Sequence, residues 1–245
     1  MKHPEQWAPT KFVMGRKTWV ATRDPAFLSR GSRLIGGMQA ELYSTLLRQH
    51  ARGRLLDVGC GKVPLYGMYR EHVSETICLD WPSSLHETPH LDVSWDLTQP
   101  WPFSADEFDT VLATDVLEHL PNPELFWTEC ARILRPMGKL ILGVPFLYWL
   151  HEQPHDYHRF TEFALRRCAR ENGLQVKYLE PYGSALHVIF DVCGKLLSRS
   201  RILFATQSIA SRVILNTFGI GHIVNQTAPI FPLGYGLVCE KERSD

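Results

Sequence analysis

The chain has 245 residues, 44% hydrophobic and 21% charged, a composition that gives an ordinary globular protein with enough length to bury a full core. Its 26 basic and 26 acidic residues cancel, so no charge excess points to a nucleic-acid partner. The six cysteines (Cys60, Cys78, Cys130, Cys168, Cys193, Cys239) stand singly with no CxxC pair, and read as reduced thiols of a cytoplasmic protein rather than disulfides or a zinc site. The polar stretch Met1–Thr10 lacks a signal-peptide pattern, and no uncharged apolar run is long enough to cross a bilayer.

Residues 1–33, rich in Pro, Arg and Trp, show no period and are expected to form an irregular arm ahead of a domain over 34–245. Leu42, Leu46 and Leu47 share one face of a predicted helix from Leu34 to about His50. Strands and helices then alternate. Arg54–Val58 reads as a strand and Pro64–His72 as a helix with proline in its first turn. Strands follow at Thr76–Asp80, Leu91–Val93 and Asp109–Thr114. Asn122-Pro123-Glu124 opens a helix with a capping side chain, a tolerated proline and a favourable acid, and it ends near Leu134, before Arg135-Pro136-Met137-Gly138. Lys139–Val144 is the next strand, Thr161 caps a helix closing at Asn172-Gly173, and Leu174–Leu179 and Leu233–Glu240 complete seven strands. The alternation implies an α/β protein with a mainly parallel sheet covered on both faces.

The run Leu55-Leu56 breaks into Asp57-Val58-Gly59-Cys60-Gly61. A buried strand ending in glycines gives a ligand close access to bare backbone at the carboxyl edge of the sheet. Asp57 puts a carboxylate where a phosphate loop would avoid one, and so favours a cationic or hydroxyl-rich ligand. A dinucleotide fingerprint wants Gly or Ala three places after Gly61; Pro64 stands there, which weakens an NAD-dependent oxidoreductase reading. Asp80 ends the second strand about 20 residues on, the spacing at which an acid meets a ribose diol. Trp81 offers an aromatic face for adenine, with core packing as the alternative. Asp96-Leu97 pairs an acid for an adenine amino group with an apolar cover for the ring.

Taken in order, LLDVGCG, ICLD, the acid before the Trp-Pro-Phe segment, FDTVLATDVLEHLPNP and LRPMGKLILGVPF resemble the motifs of class I S-adenosylmethionine-dependent methyltransferases, and among them the type 11, small-molecule group. The resemblance covers about Leu34 to Leu179, and the final strand also fits. It implies a Rossmann-like, doubly wound seven-stranded sheet with a helical insertion before the last strand, and S-adenosyl-L-methionine as cofactor. Asp57, Gly59 and Gly61 would line its methionine part, Asp80 would hold the ribose hydroxyls, and Asp96 with Leu97 would contact adenine. Thr114 and Asp115 would sit beside the sulfonium, and His119 of Glu118-His119 near the cofactor. The family often has a third glycine where this chain has Val63.

The stretch His151-Glu152-Gln153-Pro154-His155-Asp156-Tyr157-His158-Arg159-Phe160 follows the fifth strand, and so lies at the same carboxyl edge. Its histidines stand on a loop interrupted by proline, a poor scaffold for a metal, and none is expected. It reads equally as a structural lid and as the source of a general base, with His155 ahead of His119 and His158. Between the last two strands, about 184–227, Leu186, Ile189, Phe190, Cys193, Leu196 and Leu197 form a helical stripe, followed by Arg199 and Arg201. Ile202, Ile209 and Val213, with Arg212, make a second helix. A cap over the substrate site is the leading reading of this insertion; a dimer surface or a membrane-surface contact is the lesser one.

The function expected from these residues is methyl transfer to a small-molecule or glycan-type hydroxyl, without nucleic acid as partner. A cofactor-binding regulatory or assembly protein without turnover is the rival. The acceptor and the oligomeric state are not written in any motif.

Overall fold

The structure is a computed structural model that describes residues 1–82 and 88–243. Two short strands, β1 (Phe12–Met14) and β2 (Trp19–Ala21), form a hairpin. The main sheet contains β3 (Gly53–Val58), β4 (Val73–Asp80), β5 (Val93–Ser94), β6 (Phe108–Thr114), β7 (Leu134–Pro145), β8 (Leu174–Tyr182) and β9 (Gly234–Lys241). Its order is β5-β4-β3-β6-β7-β9-β8, parallel throughout except for β9, which runs antiparallel to both neighbours. The direction of winding reverses between β3 and β6, so the connections beyond their carboxyl ends diverge and open a crevice there.

The helices are α1 (Arg33–His50), α2 (Tyr66–Tyr69), α3 (Pro123–Ile133), α4 (Glu162–Glu171), α5 (Ala185–Leu197), α6 (Arg201–Leu215) and α7 (Ile220–Thr227). Successive strand residues point to opposite faces, and the core divides accordingly. Leu55, Leu112, Ile141 and Val238 face a cluster with Tyr43, Leu46 and Leu47 of α1 and Met68 and Tyr69 of α2. Leu56, Val111, Leu140 and Leu142 face Phe126, Trp127 and Ile133 of α3 and Leu165 of α4. Each such leucine or valine contributes about 1.5–3 kcal/mol when fully buried, which is why inner strands carry near-continuous apolar runs.

Several expectations need correction. The N-terminal arm is not irregular: the hairpin docks on α1, and Phe12 is buried edge-on against Tyr43. Its three-residue strands are too short to show a period. The helix expected over Pro64–His72 shrinks to the single turn of α2, flanked by turns in which the Tyr66 N–H donates to the Val63 carbonyl and the His72 N–H to the Tyr69 carbonyl. Gly67 within it is a poor helix former, kept bare because the rings of Trp7 and Trp19 occupy the space of a side chain. Asn122 makes no side-chain cap on α3, whereas Thr161 does accept the Ala164 N–H at 3.2 Å. The Arg135–Gly138 turn lies inside β7: Phe108 pairs with Leu134 but Thr110 with Lys139, so the strand absorbs it as a bulge, with Met137 at φ 68°. Finally, the insertion holds three helices, α5–α7, where two were expected.

How α1 seats on the sheet explains two glycines. Gly143 of β7 and Gly236 of β9 are paired neighbours; a Cβ on Gly143 would lie 2.1 Å from the Tyr43 hydroxyl, and one on Gly236 2.9 Å from Leu42. By contrast, Gly37 on the exposed side of α1 has nothing within 4 Å of such an atom. Gly143→Ala is therefore expected to destabilise the fold by about 1–3 kcal/mol. Gly37→Ala should stabilise it by roughly 0.5–1 kcal/mol. Urea unfolding of the two variants checks both signs.

Candidate active site

A cavity of 560 Å³ opens at the carboxyl ends of β3, β4 and β6. Its wall includes Asp57, Gly59, Gly61, Asp80, Trp81, Asp96, Leu97, Thr114, Asp115, His119 and His155, bringing together nearly all of the residues singled out from sequence. His158 is not among the lining residues; its ring packs on Phe160 and its N–H donates to the Glu118 carbonyl at 3.1 Å. None of the lining residues belongs to 184–227, so the insertion does not form the expected cap over this cavity.

The glycine turn is built by its neighbours. Gly59 sits at φ 65°, and a Cβ there would meet Val116 at 2.4 Å, so no other residue fits without displacement. The Asp80 carboxylate accepts the Gly61 N–H at 2.7 Å and the Trp81 N–H at 2.8 Å, locking the turn to the end of β4. Val63 adopts φ 49°, reproducing with a β-branched residue the left-handed backbone that a glycine would take there.

Asp57 lies at the floor, 6% exposed. Burial pushes its carboxyl up to about 7, against the Tyr69 hydroxyl, which donates to it at 2.9 Å and pulls the other way; the nearby Asp80 adds to the rise. A buried acid held this high becomes comfortable as an anion only when a cation arrives. At the rim Asp96 is exposed and accepts the Thr98 N–H at 2.9 Å, an Asx turn that orients it, while Leu97 beside it is buried.

Asp115 is held in a left-handed conformation at φ 56°. Both of its oxygens accept from Gln39 at 3.2 Å, and Lys11 approaches at 3.3 Å. Lys11 and Gln39 are site residues that the sequence reading missed. Gln39 had a signal, being a buried polar residue among apolar neighbours Ile35 and Tyr43 at helical spacing. Lys11 had none, because a fold that wraps the hairpin onto α1 delivers it.

Glu118 is the hub of the opposite wall. It is fully buried, and burial raises its carboxyl against the pull of His151. One of its carboxylate oxygens lies 3.7 Å from Nε2 of both His119 and His151. Its backbone carbonyl accepts the N–H groups of Tyr157 (2.9 Å) and His158 (3.1 Å), tying down the loop after β7. Burial lowers His151, but Glu118 and Asp156 outweigh it and leave the imidazolium favoured. Asp156 in turn is held well below the usual carboxylate range by a bidentate pair with Arg159. Glu118, His119 and His151 each bring one ligand atom within 4.8 Å of one another, a grouping not foreseen from the loop's histidine spacing.

His119 Nδ1 lies 2.8 Å from the His155 carbonyl oxygen. A carbonyl only accepts, so Nδ1 carries a proton. Nε2 of the same ring faces Glu118 at 3.7 Å and Glu152 at 3.8 Å. The His155 ring instead stands edge-on to Trp81, with centroids 5.0 Å apart, and its Nδ1 lies 3.2 Å from the Tyr157 hydroxyl. All six cysteines are free, and four of them are buried.

Comparison with known proteins places this geometry. A family profile described as a methyltransferase domain matches residues 56–142, the stretch from β3 to β7 that carries most of the cavity wall. A ubiquinone biosynthesis O-methyltransferase of Xanthomonas euvesicatoria is 30% identical over 202 residues, covering 71% of this chain and 83% of that protein. One from Nitrobacter winogradskyi, also 30% identical, aligns over 50% of this chain and 57% of its own length, so the chain spans little more than half of that relative. In fold, the crystal structure of an S-adenosylmethionine-dependent methyltransferase from Mesorhizobium loti superposes with a TM-score of 0.55 at 12% identity, covering 85% of this chain and 100% of that one. Motif order, cavity and sequence similarity agree: the chain belongs to the class I S-adenosylmethionine-dependent methyltransferases, in the type 11 group.

Proposed function

We propose that the protein transfers the methyl group of S-adenosyl-L-methionine to a hydroxyl of a small-molecule or glycan-type acceptor. The observation that carries this is the buried, proton-holding Asp57 beneath a bare glycine turn, in one cavity with Asp80, Asp96 and a histidine with a fixed Nδ1–H. The residues fit the cofactor: a ligand bearing ammonium and sulfonium charges supplies the cation that Asp57 needs. Asp80, at the end of β4 against the glycine turn, would accept from the ribose hydroxyls, and Leu97 offers an apolar surface for adenine with Asp96 beside it. Thr114 and Asp115 then border the sulfonium, with Asp115 kept in place by Gln39 and Lys11. When bound, the cofactor supplies an electrophilic methyl group, and the protein's task is to align the acceptor and exclude water. That two relatives are named O-methyltransferases supports oxygen as the acceptor atom.

His119 is the base in this reading, in place of His155; the contacts of the two rings support that choice. His155 leans on Trp81, beside the ribose-binding Asp80, and serves as a lid over the nucleoside. His119 has an Nδ1–H fixed by the His155 carbonyl and an Nε2 that would take the acceptor's proton, with the carboxyl groups of Glu118 and Glu152 3.7 and 3.8 Å away. Nε2 is closed off by Glu118 and Glu152, so the acceptor hydroxyl enters by displacing Glu152, whose side chain is 43% exposed.

Calorimetry with S-adenosylmethionine, S-adenosylhomocysteine and NAD tests the cofactor; binding of NAD alone would overturn the reading. Methyl transfer to a panel of hydroxylated small molecules and sugars separates an enzyme from a regulatory binder. His119→Ala should lower kcat by about 10²–10⁴-fold with cofactor affinity nearly unchanged, while His155→Ala should act mainly on cofactor affinity. The reverse pattern would return the base to His155.

Asp57 sets a pH signature. S-adenosylmethionine affinity should fall below pH 7, approaching roughly tenfold per unit, because binding needs the ionised form. Asp57→Asn should weaken binding and flatten that profile in titrations from pH 8 to 5.5. The folded carboxyl keeps its proton to about pH 7, against an ordinary value of 3.8. Between those values the native state holds the extra proton, so the unliganded protein loses stability from this group as pH rises, and the loss is complete above pH 7. Thermal melting at pH 8 should therefore show the Asn variant as the more stable apoprotein.

A further inference from the structure

The helices α5–α7 form an appendage that the proposed chemistry does not use. Both of its roots lie on the carboxyl edge of the sheet: Tyr182 ends β8, and Gly234, which opens β9, pairs with Tyr182 and with Pro145 at the end of β7. The appendage thus grows from the edge that holds the cavity, although it lines no part of it. Its inner side is anchored. Buried Lys195 pairs with buried Asp191 and sits 4.0 Å above the Tyr148 ring and 5.3 Å from Trp149, on the loop leading to His151.

Its outer side is apolar and uncovered. On α6, Ile202, Ile209 and Val213 recur at helical spacing along one line and are 76, 63 and 62% exposed. On α5 the same holds for Ile189, Val192 and Leu196, and Phe218 stands fully in solvent between α6 and α7. Arg201 and Arg212 lie together on one flank of the α6 line, roughly 80–100° round the helix. Between residues 183 and 233 the sequence contains one acid, Asp191, which is the buried partner of Lys195. The exposed formal charges of this appendage are therefore cations, Arg199, Arg201 and Arg212, although the whole chain is neutral.

From this distribution we infer that α5–α7 is a docking surface for an anionic lipid bilayer. Exposed isoleucines and leucines enter the interface while arginines beside them reach lipid phosphates, the arrangement of an interfacial amphipathic helix. No helix among the described residues is long and apolar enough to cross a membrane, so the contact is peripheral. A second copy of the chain is a poorer occupant. In a two-fold contact the same patch meets itself, which would set arginine against arginine with no exposed acid to pair them. The roots of the appendage, exposed Trp149 and Leu150 beside it, and the cavity all lie at the carboxyl edge. The surface serves an acceptor drawn from the lipid phase, and in that respect alone rests on the proposed activity.

Vesicle co-sedimentation of the full chain tests docking independently of turnover. Wild-type protein should bind vesicles of phosphatidylcholine with phosphatidylglycerol, bind phosphatidylcholine alone far less, and lose binding as salt is raised. Arg201→Glu with Arg212→Glu should reduce binding to the anionic vesicles by roughly tenfold or more. Ile209→Asp with Val213→Asp should abolish it. All four positions are exposed, and thermal melting confirms that the variants fold. Absence of vesicle binding, equal binding to neutral and anionic vesicles, or unchanged binding by the variants overturns the inference. So does a wild-type dimer in light scattering that the Ile209→Asp pair dissolves without any vesicle binding, which would assign the face to a second copy.

Discussion

A carboxylate sealed at the end of an apolar strand is the constraint on which the site depends. Asp57 follows Leu55 and Leu56 into the interior, and its side chain accepts from the Tyr69 hydroxyl at the floor of the cavity. One hydrogen bond does not replace hydration, so the anion is disfavoured until a cation comes close. The surrounding parts keep that position open. Gly59 and Gly61 take left-handed backbone without side chains, and Asp80 grips the turn through the Gly61 N–H. The free protein holds this acid against its own preference, as expected where binding is put ahead of resting stability.

Glu118 organises the other wall on the same principle. Its carboxyl lies between two imidazoles while its backbone carbonyl gathers the N–H groups of Tyr157 and His158. Through these contacts a loop without regular structure is held in register with the end of β6. His119 adds a strut from its ring to the His155 carbonyl. The network continues through His151 and Asp156 to Arg159, whose bidentate pair holds Asp156 as an anion. Moving one member disturbs the loop as well as the chemistry.

The two ends of the chain contribute asymmetrically to this edge. The N-terminal hairpin brings Lys11 to Asp115 and closes one side of the cavity. The insertion before β9 stands away from the cavity and presents apolar helices outward. Only the hairpin adds to the switch point between β3 and β6, where an open α/β sheet places its ligands. The strand ends supply Asp57, Asp80 and Thr114 to the cavity, and the loops and the hairpin supply His119, His155 and Lys11.

Sequence alone settled what depends on local pattern. The apolar runs of β3, β6 and β7, the acid-glycine turn after β3 and the acids Asp80 and Asp96 are short-range features; their order implied the parallel sheet and carried the family resemblance that implied the methyl donor. Tertiary structure decided what depends on distant segments meeting. Gln39 and Lys11 reach Asp115 only because α1 and the hairpin fold across the carboxyl edge. His119 acquires its fixed Nδ1–H from a carbonyl 36 residues later, and Asp57 its raised carboxyl from burial that no local motif encodes. The α6 stripe was visible as periodicity, but periodicity cannot say which way a helix faces. Packing turned that stripe to the solvent and left the cavity without it, because desolvation and contact are properties of the assembled fold.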